Sequence, residues 1–167
     1  MNNIVAEFEK VSYDRFRTDM LACFPGLKHD IIADAYDQLR LPERATGGSA
    51  GYDFFMPGSL FMVPGKVYKF PTGIRCKMHQ GWVLTLFPKS GLSFKYGTKF
   101  VNVIPVIDSD YYASDNEGHI LFGMTVDQPA NFEVGQKIAQ GIFLPFGITE
   151  NDNVKEQRNG GFGSTGK

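Results

Sequence analysis

Pro71-Thr72-Gly73-Ile74-Arg75-Cys76-Lys77-Met78-His79-Gln80-Gly81-Trp82-Val83-Leu84-Thr85-Leu86-Phe87-Pro88 holds two strand signals between turn signals. Ile74, Cys76 and Met78 alternate with the basic Arg75 and Lys77, the period-two pattern of a half-buried strand. Trp82 to Phe87 is a bulky run that opens after Gly81 and stops at Pro88, where Pro88 to Ser93 reads as a turn rich in small and polar groups. The same grammar extends outward. Upstream, Phe54-Phe55-Met56 ends at Pro57-Gly58, and Val67 to Phe70 lies between Pro64-Gly65 and Pro71-Thr72-Gly73. Downstream, His119 to Val126 opens after Gly118 and turns at Asp127-Gln128-Pro129, and Phe132 and Val134 lead to Gly135. Lys137 to Leu144 is a further strand, and its Gly141 marks a bulge or a close contact. Short strands at roughly 8–12-residue spacing, punctuated by Pro and Gly, predict an all-β sandwich or barrel. There is no internal repeat and no βαβ rhythm.

The N-terminal quarter differs. Val5, Phe8 and Val11 suggest a short opening strand. Phe16, Met20 and Phe24 then fall four apart, a helical stripe that ends at Pro25-Gly26. A second helix is predicted from about His29 to Leu39, with one line of Ile31, Ala35 and Leu39 and a second of Ile32 and Tyr36, stopped by Pro42. Residues 14–40 therefore read as a helical hairpin set before the main body, a packing appendage. At 167 residues the chain suits one domain. A net charge of -1 argues against a nucleic-acid coat, which needs clustered Lys and Arg. Cys23 and Cys76 form no CxxC pair and read as buried thiols in a reducing compartment. With no apolar run of ~20 residues and no signal peptide, the expectation is a cytoplasmic protein without membrane association.

Asn102-Val103-Ile104-Pro105-Val106-Ile107-Asp108-Ser109-Asp110-Tyr111-Tyr112 is the stretch with the most chemistry. Val103, Ile104, Val106 and Ile107 predict a buried strand, and Asp108 and Asp110 predict that it opens into a cleft or a solvated turn. A calcium loop fails, because Tyr112 and Ala113 stand where an oxygen ligand and Gly are needed. His29, His79 and His119 are isolated, so no zinc set is visible and each reads as solvated or half-buried. No GxSxG elbow is present. The tail, Glu156 to Lys167, is a flexible segment by composition, yet Arg158 and Lys167 flank it and Phe162 sits among glycines. Its Gly161 to Lys167 matches the letters of a phosphate loop, but no Ser or Thr and no helix follow the Lys. A Gly-rich strip with Ser164, Thr165 and Arg158 still suits a polyphosphate.

Five segments occur in order: Ala50-Gly51-Tyr52-Asp53, Pro88-Lys89-Ser90-Gly91-Leu92-Ser93, Val106 to Tyr111, Gly135-Gln136-Lys137-Ile138-Ala139-Gln140, and Gly160-Gly161-Phe162-Gly163-Ser164-Thr165-Gly166. From about Leu41 to Lys167 this series resembles the trimeric dUTPases. The resemblance implies a distorted antiparallel jelly-roll of the β-clip type, a single domain over residues 1–167, and a homotrimer with active sites shared between subunits. It also implies hydrolysis of dUTP to dUMP and pyrophosphate with Mg²⁺, and a C-terminal arm, residues 156–167, that closes over a site.

Carried over by position, Asp108 would be the catalytic carboxylate that activates water for attack on the α-phosphorus. Asn102, with backbone near Val103 and Leu121, would read uracil, and Tyr111 would lie under the deoxyribose where a 2′-hydroxyl clashes. Lys89, Ser90, Gly91 and Gln140 would contact phosphates, and Asp53 would reach Mg²⁺ through water. Phe162 would stack on the base, and Arg158, Gly163, Ser164 and Thr165 would hold the γ-phosphate end. Asp110 receives no role. Lys89 stands where the family usually has Arg, Pro105 where Gly is usual, Ala113 to Glu117 looks inserted, and the Arg158 to Gly160-Gly161 spacing is one residue short. A dCTP deaminase would need a Glu in the base-binding segment, and none lies between Asn102 and Tyr112. A non-catalytic trimer that binds a nucleotide or a protein is the other alternative.

Overall fold

The fold is known from a computed structural model, which describes residues 3–155. The tail assignments at Arg158, Phe162, Gly163, Ser164 and Thr165 lie outside the described residues. In chain order the elements are β1 (Ala6–Lys10), α1 (Tyr13–Cys23), α2 (His29–Asp37), β2 (Glu43–Arg44), β3 (Tyr52–Phe55), β4 (Leu60–Met62), β5 (Tyr68–Pro71), β6 (Ile74–Met78), β7 (Trp82–Pro88), α3 (Ser90–Tyr96), β8 (Lys99–Phe100), β9 (Val106–Ile107), a 3₁₀ turn (Ser109–Ala113), β10 (Leu121–Thr125), β11 (Ala130–Phe132) and β12 (Lys137–Pro145).

All strand pairs are antiparallel and fall into small sheets: β2-β3-β12-β7-β9, β5-β10-β8, β1-β6 and β11-β4. Alternation does the work expected of it, since Ile74, Cys76 and Met78 on β6 are buried. Phe54, Phe70, Phe100 and Phe122 meet in one aromatic cluster, with Phe122 touching the other three at ring-centroid distances of 5.1–5.7 Å. Gly141 of β12 is the close contact that the sequence left open against a bulge. A Cβ there would lie 2.7 Å from Leu84 Cδ1, and the ladder irregularity falls earlier, between Lys137 and Ala139.

The N-terminal quarter forms its own small core of Val11, Phe16, Met20, Ile32 and Ala35. The Ser12 side chain caps α1 by accepting the Arg15 N–H. On α2 the buried line is Ile32 and Ala35, whereas Ile31 is 49% exposed, so the stripe led by Ile31 is corrected. The helix also ends at Asp37, short of Leu39. Two further expectations change. Pro88 to Ser93, read as a turn, runs into helix α3, which half-buries Leu92 and Tyr96 at i, i+4 and ends at the left-handed Gly97, φ 65°. The strand expected from His119 begins at Leu121.

Gly141→Ala is expected to destabilise the fold by about 1–3 kcal/mol, because the added methyl must displace Leu84 in a central strand. A lower urea midpoint with an unchanged m-value is the expected result, and an unaltered midpoint would contradict the packing.

Candidate active site

Strand β12 runs between β3 and β7, and this pairing gathers three of the quoted segments. Gln140 lies opposite Asp53 on one side and Phe87 on the other, while Ala139 faces Pro88. The Lys89 N–H extends the ladder by donating to the Ile138 carbonyl at 3.3 Å. A Cβ at Gly51 would sit 2.7 Å from Gln140 Oε1, so glycine leaves room for that side chain. Asp53 is 2% exposed. Lys89 Nζ is 2.6 Å from one of its oxygens and Lys137 Nζ is 2.7 Å from the other. Burial alone would push the Asp53 carboxyl up, but hydrogen bonds and charge from Lys137 and Lys89 outweigh it and hold the group below the usual aspartate range. Lys89 is half-buried at the start of α3, and Ser90 and Gly91 follow it exposed.

The second grouping surrounds the hairpin between β8 and β9. The Val101 N–H donates to Gly123 O at 2.9 Å, which places the hairpin beside β10. Leu121, at the start of β10, pairs with Pro71 and is half-buried. Asn102 is exposed at the tip, and Val103 takes φ 63°, an uncommon conformation for a β-branched residue. The expectation of a buried strand holds for Ile107 alone. Val103 is 76% exposed, and Ile104 and Val106 are exposed as well, because only two residues of this arm pair with β7. Pro105 is buried and its carbonyl accepts the Leu86 N–H at 3.0 Å, so the missing N–H leaves that ladder bond intact.

Asp108 is half-buried at the junction of β9 and the 3₁₀ turn, and its carbonyl accepts the Tyr111 N–H. Asp110 is exposed. Tyr111 is buried, its hydroxyl donates to His119 O at 2.8 Å, and Asn116 Nδ2 donates to that hydroxyl at 2.8 Å. His119, expected to be solvated or half-buried, is 0% exposed: its Nε2 accepts the Gly73 N–H at 2.8 Å and its Nδ1 lies 2.6 Å from Asp19 Oδ2. Sequence reading missed Lys137, Asn116 and His119, since each acquires its role from partners distant in the chain or in the insert.

One chain does not bring the two groupings together. Leu84 faces Ile107, so the antiparallel register carries Asp108 toward Val83, whereas Gln140 faces Phe87. Four residues along a strand span about 13 Å. Among the described residues no group of three or more His, Cys, Asp or Glu is placed to hold a metal. Cys76 is buried and its thiol is pushed up to about 12 by burial, and Cys23 is half-buried; both are free. No helix among the described residues is long and apolar enough to cross a membrane.

Weakening the ion pairs around Asp53 has a signed consequence. A carboxyl held low in the fold adds stability above its ordinary pKa of ~3.9 and loses it as pH falls through the lowered value. Urea unfolding should show stability falling as pH drops below ~4, and Asp53→Asn should flatten that slope. An identical slope in the variant would contradict the electrostatic reading.

A sequence profile of the dUTPase family matches residues 37–166. The deoxyuridine 5'-triphosphate nucleotidohydrolase of Lactococcus lactis is 39% identical over 133 residues, covering 77% of this chain and 89% of that protein. The crystal structure of dUTPase from Streptococcus mutans superposes with a TM-score of 0.61 at 38% identity, over 68% of this chain and 91% of that one. A mutant dUTPase from phage phi11 of S. aureus, described as coordinating a structural Mg(II) ion, shares the fold at 20% identity, with a TM-score of 0.58 over 72% of this chain and 92% of that one.

Proposed function

The chain belongs to the dUTPase family, and from that premise we propose that it is a dUTP diphosphatase, releasing dUMP and pyrophosphate by attack of water on the α-phosphorus. The separation of Asp108 from Gln140 along β7 carries the assembly part of this reading. A nucleoside triphosphate site needs the base, sugar and water-activating groups next to the phosphate groups. If one chain holds them at opposite ends of a strand, the halves meet across a subunit boundary. We place the Asn102–Tyr111 hairpin of one subunit against the Lys89–Gly91 and Gln140 face of another, in a homotrimer. The exposed Val103, Ile104 and Val106 suit such a contact.

In this arrangement the Asn102 amide and the backbone at Val103 and Leu121 read the uracil edge, because an amide offers both a donor and an acceptor. Tyr111 lies under the deoxyribose and leaves no room for a 2′-hydroxyl. Asp108 accepts a hydrogen bond from a water in line with the α-phosphorus and takes its proton as the bond to phosphorus forms. Lys89, Ser90, Gly91 and Gln140 hold the phosphate chain, and Asp53 keeps the Lys89 ammonium at that face. Arg158, Phe162, Gly163, Ser164 and Thr165 complete the site from the 156–167 arm of a neighbouring subunit and exclude bulk water. Mg²⁺ supplies charge neutralisation when bound to the triphosphate. The Asp53 carboxylate offers the hard oxygen that such an ion takes, directly or through water. Asp53 would reach it through water only after one of its two ammonium partners turns away. Residues 1–167 form one dUTPase domain, with residues 14–40 as an added helical segment.

Purified protein with Mg²⁺ is expected to release pyrophosphate from dUTP and hardly from UTP, dTTP or dCTP; equal turnover of the four would contradict the assignment. Asp108→Asn should lower kcat by about 10²–10⁴-fold while dUTP still binds. The Ser90→Ala/Gln140→Ala double variant should also be crippled, yet co-refolding it with Asp108→Asn should restore activity above either parent. Failure of the mixture to recover would contradict a site shared between subunits.

A further inference from the structure

Two parts of the chain meet each other beside Tyr111. One is the N-terminal segment with β1 and α1, which precedes residue 37, where the family match begins. The other is the Ala113 to Glu117 insert with the residues that follow it. Glu117 accepts two hydrogen bonds from Ser12, from its N–H at 2.8 Å and its hydroxyl at 2.6 Å, at the start of α1. Tyr112 donates to Glu9 Oε2 at 2.9 Å, and Arg75 pairs with the same oxygen at 2.6 Å. Asp19 of α1 meets His119, and Arg15 grips Asp19 through two bonds of 2.7 and 3.1 Å.

The His119 link reaches farthest. Its ring is held at both nitrogens, by the Gly73 N–H and by Asp19. Because Nε2 accepts from Gly73, the ring is neutral and its one proton is on Nδ1, donated to Asp19. A ring pinned at both ends fixes its own backbone. The His119 carbonyl then accepts the Tyr111 hydroxyl at 2.8 Å, and Asn116 Nδ2 bonds both that hydroxyl and that carbonyl, at 2.8 and 3.3 Å. Gly118 packs so closely that a Cβ would fall 2.6 Å from Tyr112 Cα and 2.8 Å from Tyr111 O. Every contact in this chain of bonds is buried or half-buried, so each is protected from competition by water.

We infer that Asp19, His119 and Asn116 are positioning residues for Tyr111, and that the N-terminal helix and the insert together act as a brace that sets the sugar specificity of the site. The inference rests on the reading of Tyr111 as the group under the deoxyribose. The bonds of Asp19 lead to Tyr111 through His119. Loss of its hydrogen bond frees the His119 ring, lets the carbonyl and the phenol shift, and opens space for a 2′-hydroxyl. A displacement confined to the phenol costs selectivity before it costs the chemical step, since β9, which leads into Asp108, is held by β7.

The test compares kcat/KM for dUTP and UTP in the full-length protein. Asp19→Ala and Asn116→Ala are each expected to lower the dUTP/UTP ratio on the order of tenfold. Asp19→Asn, which keeps an acceptor for the His119 Nδ1 proton, should restore the ratio near that of the unmodified protein. A purely architectural role predicts a lower melting temperature with an unchanged ratio, and that result in Asn116→Ala, or in Asp19→Ala, overturns the inference. Tyr111→Leu serves as the reference. If it collapses the ratio while the Asp19 and Asn116 variants do not, the brace fails and the sugar reading stands. If it leaves the ratio intact, the sugar reading fails and takes the inference with it.

Discussion

Strand β12 cannot slip by one residue against β3 and β7 without turning Gln140 to the opposite face and carrying Ile138 and Ala139 out of the core. That register also places Lys137 beside Asp53, so the buried carboxylate meets one of its two ammonium partners only in the observed pairing. The other, Lys89, arrives because β7 ends at Pro88 and its successor continues the ladder to Ile138. A buried carboxylate missing a partner is costly, on the order of 3–5 kcal/mol for a broken pair. The ion triplet therefore penalises the wrong register as well as holding Lys89 at the face where phosphates are expected. Gly141 adds a steric condition, since only glycine admits the close approach to Leu84.

From this sheet the candidate site residues depart in two directions. The end of β7 leads to Lys89, Ser90 and Gly91, and its other edge pairs with the hairpin that ends in Asp108. A strand of seven residues thus separates what dUTP chemistry must combine. The proposed sharing of the site between subunits would resolve the separation and would give the exposed valines and isoleucine of the hairpin an environment that a lone chain does not offer.

The legible part of the molecule was the part written in local signals. Ile74 to Met78 and Trp82 to Pro88 became β6 and β7 because alternation and Pro/Gly punctuation act over a few residues. The Phe16 and Met20 stripe became the buried face of α1 for the same reason. Helix α3 was hidden because Ser90, Gly91 and Ser93 are turn formers, and only Leu92 and Tyr96 mark a face. The apolar run at Val103 to Val106 predicted burial, but burial is decided by partners, and within one chain that hairpin has few. His119 was illegible for a related reason: its partner Asp19 is one hundred residues away. The five ordered segments carried the family, whereas composition and periodicity alone reached no further than an all-β domain.

The chemical centre of the proposed reaction is attack on the α-phosphorus by a water that Asp108 would hold. Hydrolysis of dUTP under single-turnover conditions in ¹⁸O-labelled water tests it most directly, because the phosphorus that is attacked keeps the incoming oxygen. Attack at the α-phosphorus puts the label in dUMP and none in pyrophosphate. Label in pyrophosphate would mean that water attacks the β-phosphorus, and the placement of Asp108, Gln140 and the phosphate-binding face relative to one another would then be wrong.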